Sequence, residues 1–86
     1  MHELSIAMSL VDTICEELPK LGAVVVRAVH VRIGAMSGVV PDALTFAFDV
    51  AADGSRIAGA RLDVECTQGR ELELAALEVV DEPANR

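Results

Sequence analysis

The sequence has no tryptophan and no tyrosine, and its only aromatic residues are Phe46 and Phe48. A core must therefore be assembled from Val, Leu, Ile and Ala. Cysteine is as sparse. Cys15 and Cys66 stand alone and no CxxC occurs, which excludes a Cys-rich zinc site within one chain. A disulfide between the two is disfavoured in a reducing compartment. The seven basic residues are scattered singly. No stretch of them could release phosphate counterions, which argues against nucleic acid and anionic membrane surfaces as partners. No apolar run reaches membrane length, and no basic cluster opens the chain as in a secretory leader. A cytoplasmic location is expected. Nucleophile signatures, a phosphate loop and a dinucleotide fingerprint are missing too, so no enzyme is expected.

What is present fits one small domain spanning residues 1–86. The hydrophobic fraction is 52%, too high for disorder, and the net charge of −7 suits solubility, a basic partner or a cation. Leu4, Ala7, Met8, Val11, Ile14, Cys15 and Leu18 recur at helical spacing, which predicts a helix from about Glu3 to about Leu18. Pro19 cannot donate to residue 15 and Gly22 follows closely, so the helix is expected to fray or end there. AVVVRAVHVRIG, bounded by Gly22 and Gly34, reads as a strand. Its residues Val29, Val31 and Ile33 share one face, and Ala28, His30 and Arg32 the other. Pro41 suits the first position of a second helix, with Leu44, Ala47, Phe48 and Ala51 as its apolar stripe.

Two further strands follow, RLDVEC and ELELAALEVV, joined by TQGR. In the last one, Leu72 and Leu74 have one parity and Leu77 and Val79 the other. A regular strand cannot bury both pairs on one face, and a β-bulge near Ala75 and Ala76 would re-phase it. The order is α-β-α-β-β. It predicts an α+β fold with two helices packed on one face of a three-stranded mixed sheet. Arg32, Arg61, Asp63, Glu65, Glu71 and Glu73 then make a solvated outer face.

His30, in mid-strand, reads as a partly exposed sheet histidine, and Cys15 as a small core residue. His2 differs by position. A free amino terminus, the backbone nitrogens of His2 and Glu3, and the His2 imidazole can form fused chelate rings. Such a tetragonal nitrogen set suits Ni(II) or Cu(II). Its affinity must fall at low pH, where these donors hold protons.

MHELSIA at the start, VRIGAMSGVVPDAL in the middle and TFAFDVAADG after it resemble the HypA/HybF family of hydrogenase nickel incorporation proteins. The resemblance spans roughly residues 1 to 65 and resumes in ELELAALEVV. It implies a metallochaperone that binds nickel(II) through Met1, His2 and Glu3, by the terminal amine, the imidazole and backbone nitrogens. It implies delivery to the large subunit of nickel-iron hydrogenase, and in some organisms to urease, together with a maturation GTPase. Asp42, after the SGVVP turn, would approach that site if the turn packs near the N-terminus.

The chain departs from the family where its members insert a zinc-binding domain, held by two CxxC pairs, between the last two strands. Only TQGR stands there, near 67–70, so no zinc is expected and the two strands are expected to close directly as a hairpin. Met8 and Ala35 also differ from the residues usual in the family, Gln and Glu. A second function stays open on these grounds: a metal-independent interaction module that docks to a maturation GTPase or a full-length relative, or forms a homodimer through an exposed edge strand.

Overall fold

In a computed structural model, residues 2–83 are described. Helix α1 spans Glu3–Leu21, strand β1 Val24–Gly34, helix α2 Pro41–Ala52, strand β2 Arg61–Thr67 and strand β3 Leu72–Asp81. The apolar stripe of α1 buries Ala7, Val11, Ile14 and Leu18. That of α2, which starts at Pro41, buries Leu44, Ala47, Phe48 and Ala52. Both helices meet one face of the sheet, and their buried residues form a single cluster with the inward side chains of β1. The α+β arrangement is the one the sequence predicts.

α1 does not end at Leu18. It runs through Pro19 to Leu21 and stops at Gly22, which adopts φ 85°. Pro19 lies in the last turn, so it forfeits one ladder bond where the helix is about to end anyway. The true stop is the positive φ, which Gly takes without the Cβ penalty.

The sheet order is β2-β1-β3, with β2 parallel to β1 and β3 antiparallel to it. The hairpin expected between β2 and β3 is therefore absent. β1 is the most apolar strand, and the centre of the sheet covers both of its edges. α2 carries the chain back so that β2 lies parallel along one edge, which leaves only the other edge for β3.

The segment after Thr67 consequently crosses over the C-terminal end of β1 as a strap. Three backbone hydrogen bonds fasten it. The Gly34 N–H donates to the Glu71 carbonyl (2.7 Å), Ala35 to Thr67 (2.8 Å) and Met36 to Gly69 (2.8 Å). A Cβ on Gly34 would collide with the Gly69 carbonyl group and lie 2.8 Å from the Glu71 nitrogen.

Two bulges tune the β1–β3 ladder. Val31 pairs with Leu74 and His30 with Ala76, which leaves Ala75 unpaired. This is the re-phasing that the parity of the β3 leucines requires. A second bulge lies on β1, where Val26 pairs with Val79 and Ala28 with Glu78, so that Arg27 is the extra residue. It turns Val24 and Val26 to the same face as Val29, Val31 and Ile33, and all five join the core. Little of β3 itself is covered. Leu77 is half-buried and packs on the core, while Leu72, Leu74, Val79 and Val80 stay exposed.

The outer sheet face carries the expected charges in register. Arg32 reaches Glu73 on β3 (3.1 Å) and Glu65 on β2 (3.4 Å). Arg61 makes a two-pronged contact with Asp63, at 2.7 and 3.0 Å, which holds that carboxyl below the usual range. Among the described residues no helix is long and apolar enough to cross a membrane.

Candidate metal centre

α1 begins without a side-chain cap. His2 occupies the N-cap position, with φ −94° and ψ 80°, and its imidazole makes no capping bond. Its carbonyl accepts the first helical hydrogen bond, from the Ile6 N–H at 3.1 Å. The amide nitrogens of His2 and Glu3 lie ahead of that bond, so the helical ladder makes no use of them. An exposed imidazole and two amides outside the ladder thus sit together at the head of α1. Nitrogen ligation there costs the helix none of its own hydrogen bonds.

Glu3 is oriented by the other helix. Its carboxylate accepts a hydrogen bond from the Val40 N–H at 3.1 Å. Val40 is the N-cap residue of α2 and cannot cap with its own side chain. A capping-box glutamate ordinarily reaches back to the N-cap N–H from within the same helix. Here α1 lends that glutamate to α2. The N–H groups of Val40 and of Glu3 itself hold the carboxyl below its ordinary value. The positive end of α2 also favours an anion at this place.

The loop between β1 and α2 joins this point to the strap. Its first residues, Ala35 and Met36, hold the strap by their N–H groups together with Gly34 at the end of β1, and its last, Val40, holds Glu3. Ser37 stiffens the middle by accepting from the Val39 N–H at 3.1 Å, and Gly38 supplies a positive φ of 82°. The SGVVP turn therefore does pack beside the chain head.

Asp42, however, is exposed and makes no hydrogen bond or ion pair with His2 or Glu3 among the described residues. Met1 lies outside the described residues. His30 is on the outer sheet face, its Nδ1 3.6 Å from Asp63. Cys15 is half-buried, Cys66 is exposed, and both are free thiols. No group of three His, Cys, Asp or Glu side chains gathers among the described residues. A metal at the chain head would thus be held chiefly by nitrogen from the backbone and His2. The residue that sequence reasoning missed is Val40, which acts through its N–H. The available signal was the helix start VVPD, where no Ser, Thr, Asp or Asn stands at the cap before Pro41.

Residues 1–72 match the family model described as hydrogenase/urease nickel incorporation, metallochaperone, hypA. The chain belongs to the HypA family. The hydrogenase maturation factor HypA of Roseiflexus sp. (strain RS-1) is 57% identical over 65 residues, which cover 76% of this chain and 53% of that protein. For HypA of Chloroflexus aurantiacus the identity is 49% over 65 residues, 76% of this chain and 57% of that one. For HypA of Deinococcus radiodurans it is 46% over 69 residues, 80% of this chain and 58% of that one. The chain spans about half the length of the curated HypA relatives it matches. The solution structure of the Ni metallochaperone HypA from Helicobacter pylori superposes with a TM-score of 0.76 at 24% identity, over 95% of this chain and 100% of that one. That likeness is one of fold. A family of metallochaperones agrees with the sequence reading of a protein without catalysis.

Proposed function

We propose that this HypA-family chain binds nickel(II) at its head and hands it on during maturation of nickel-iron hydrogenase, or of urease, in the cytoplasm. The ligands in this reading are the Met1 amine, the His2 imidazole and the backbone nitrogens of His2 and Glu3. The observation that supports it most is the free head of α1, with His2 at the N-cap and two amides that no helical bond occupies. Deprotonated amides, an amine and an imidazole give the tetragonal nitrogen field that nickel(II) accepts. The Glu3 carboxylate is a positioning group, because its bond to the Val40 N–H fixes the direction in which the head leaves α1.

The zinc domain of the family is in this reading replaced by the strap. Nickel would then be held without a neighbouring zinc centre, and any docking that needs the zinc domain would fall to a maturation GTPase, the hydrogenase large subunit or a full-length relative.

The test is calorimetric titration of nickel(II) into protein with an untagged, verified Met1, beside the His2→Ala variant. One tight site in the intact protein that disappears in His2→Ala is the expected result. Equal binding by both proteins would sink the reading.

The second reading, a metal-independent interaction module, is favoured by the edge strand β3, whose apolar side chains Leu72, Leu74, Val79 and Val80 remain exposed. It predicts that the intact protein takes up no tight nickel and still associates with a partner or with a second copy when metal is chelated.

A further inference from the structure

Phe46 is one of two aromatic residues in the chain and stands 73% exposed on α2. Leu44, Ala47, Phe48 and Ala52 mark the buried side of this helix. At 100° per residue Phe46 points almost directly away from it. Val50, one turn on, is also exposed, at 53%, as is Ala43, one turn back. The three lie in one stripe, since residues three and four apart are neighbours on a helix surface. Among the described residues no element covers that stripe.

The charges along the stripe are all of one sign. Asp42, Asp49 and Asp53 flank Phe46 at spacings of four, three and seven residues, and all are exposed. α2 contains no basic residue, and no cation lies within ion-pair distance of these three carboxylates among the described residues. Asp42 suits the positive end of the helix. Asp49 and Asp53 sit near the negative end, where an anion is unfavourable. A stranded aromatic and two carboxylates at the wrong end of a helix each break a local rule without a return inside the fold. Such departures gather at functional surfaces.

We propose that the outer face of α2 is a docking surface for a protein partner that presents an apolar strip flanked by lysine or arginine. The apolar strip covers Phe46 and Val50, and the cations meet Asp42, Asp49 and Asp53. These span twelve residues, about 16 Å of helix, so the contact is one helix length long. The same helix begins at Val40, whose N–H holds Glu3. A partner seated here is therefore brought beside the chain head. That consequence for metal transfer rests on the function proposed above, whereas the docking surface itself does not.

The probe is a short amphipathic helical peptide of leucine and lysine, labelled and titrated with the full chain by fluorescence anisotropy at low and at moderate salt. Phe46→Ser should weaken binding about tenfold, and Phe46→Leu should restore most of it. Replacing Asp42, Asp49 and Asp53 together by Asn should flatten the salt dependence. Replacing Glu65, Glu73 and Glu78 together by Gln, the same change of charge on the sheet face, should leave affinity within about twofold. Equal loss in the two triple variants, or wild-type affinity in Phe46→Ser, would overturn the proposal. So would a dimer of the intact chain in sedimentation that Phe46→Ser abolishes, because the face would then belong to a second copy. His2→Ala should bind the peptide as the intact chain does, which keeps this test separate from the nickel titration.

Discussion

Replacing Gly34 by Ala is the sharpest test of the crossover strap. The backbone at Gly34 does not have a positive φ. In open space, Ala would therefore be favoured there by about 0.5–1 kcal/mol through lower chain entropy. The space is not open. The new Cβ would meet the Gly69 carbonyl and the Glu71 nitrogen, which are backbone atoms without a flexible end to swing aside. The strap must lift, and the three hydrogen bonds from Gly34, Ala35 and Met36 break with it. At about 1 kcal/mol each the loss is about 3 kcal/mol. A domain of this length has roughly 4–13 kcal/mol in all, so the loss is a large share of it. The expected fall in Tm is about 12–24 °C, measured by thermal unfolding followed by circular dichroism. Gln68→Ala, exposed in the same strap, should shift stability by no more than about 0.5 kcal/mol. A Gly34→Ala protein as stable as wild type, or more so, would show that the strap does not lie across β1.

Further outcomes follow from the helices and the chain head. Phe48→Ala empties a fully buried site and should cost about 3–5 kcal/mol in urea unfolding, while Phe46→Ala should stay within about 0.5 kcal/mol. The Glu3 carboxyl is held below its ordinary value of 4.5, so its contribution to folding is complete above that pH and fades as pH falls through the lower folded value. The Val40 amide shift in a 15N correlation spectrum should titrate with that depressed midpoint, and the titration should vanish in Glu3→Gln. Nickel taken up at the head should be released as pH falls and its nitrogen donors regain protons, read by a nickel-sensitive dye, with the release shifted little by Glu65→Gln on the far face.

Much of the fold was legible because each element carries its own period. The β3 bulge was legible from the parity switch between Leu74 and Leu77, which share one face only if a residue between them drops out of the ladder. The same test applied to β1 would have found its partner at Arg27. Val24 and Val26 are even, and Val29, Val31 and Ile33 are odd, yet all five are in the core. The hairpin was misread because adjacency in sequence favours adjacency in a sheet, and local patterns say nothing of which strand takes the centre. The end of α1 was misread because a proline in a last turn costs far less than one in mid-helix. At the chain head, the exposed place of His2 just ahead of α1 was legible from its position. The Glu3–Val40 bond was not, because it joins a side chain to a backbone N–H 37 residues away, and a backbone group has no sequence signature.

The central strand has a temporal consequence. β1 is made early, yet its partners β2 and β3 both follow it in the chain, and β3 is the last element of all. During synthesis β1 must wait with both edges bare, and the strap can close over Gly34 only when Glu71 has left the ribosome. The sheet of this domain therefore closes only once its last strand is available, and its long-range pairings make that closure slow. Throughout the wait, the head of α1, made before β1, is already in solvent. Glu3 needs none of the later strands for its own restraint, because Val40 and α2 also precede β2 and pack directly on α1.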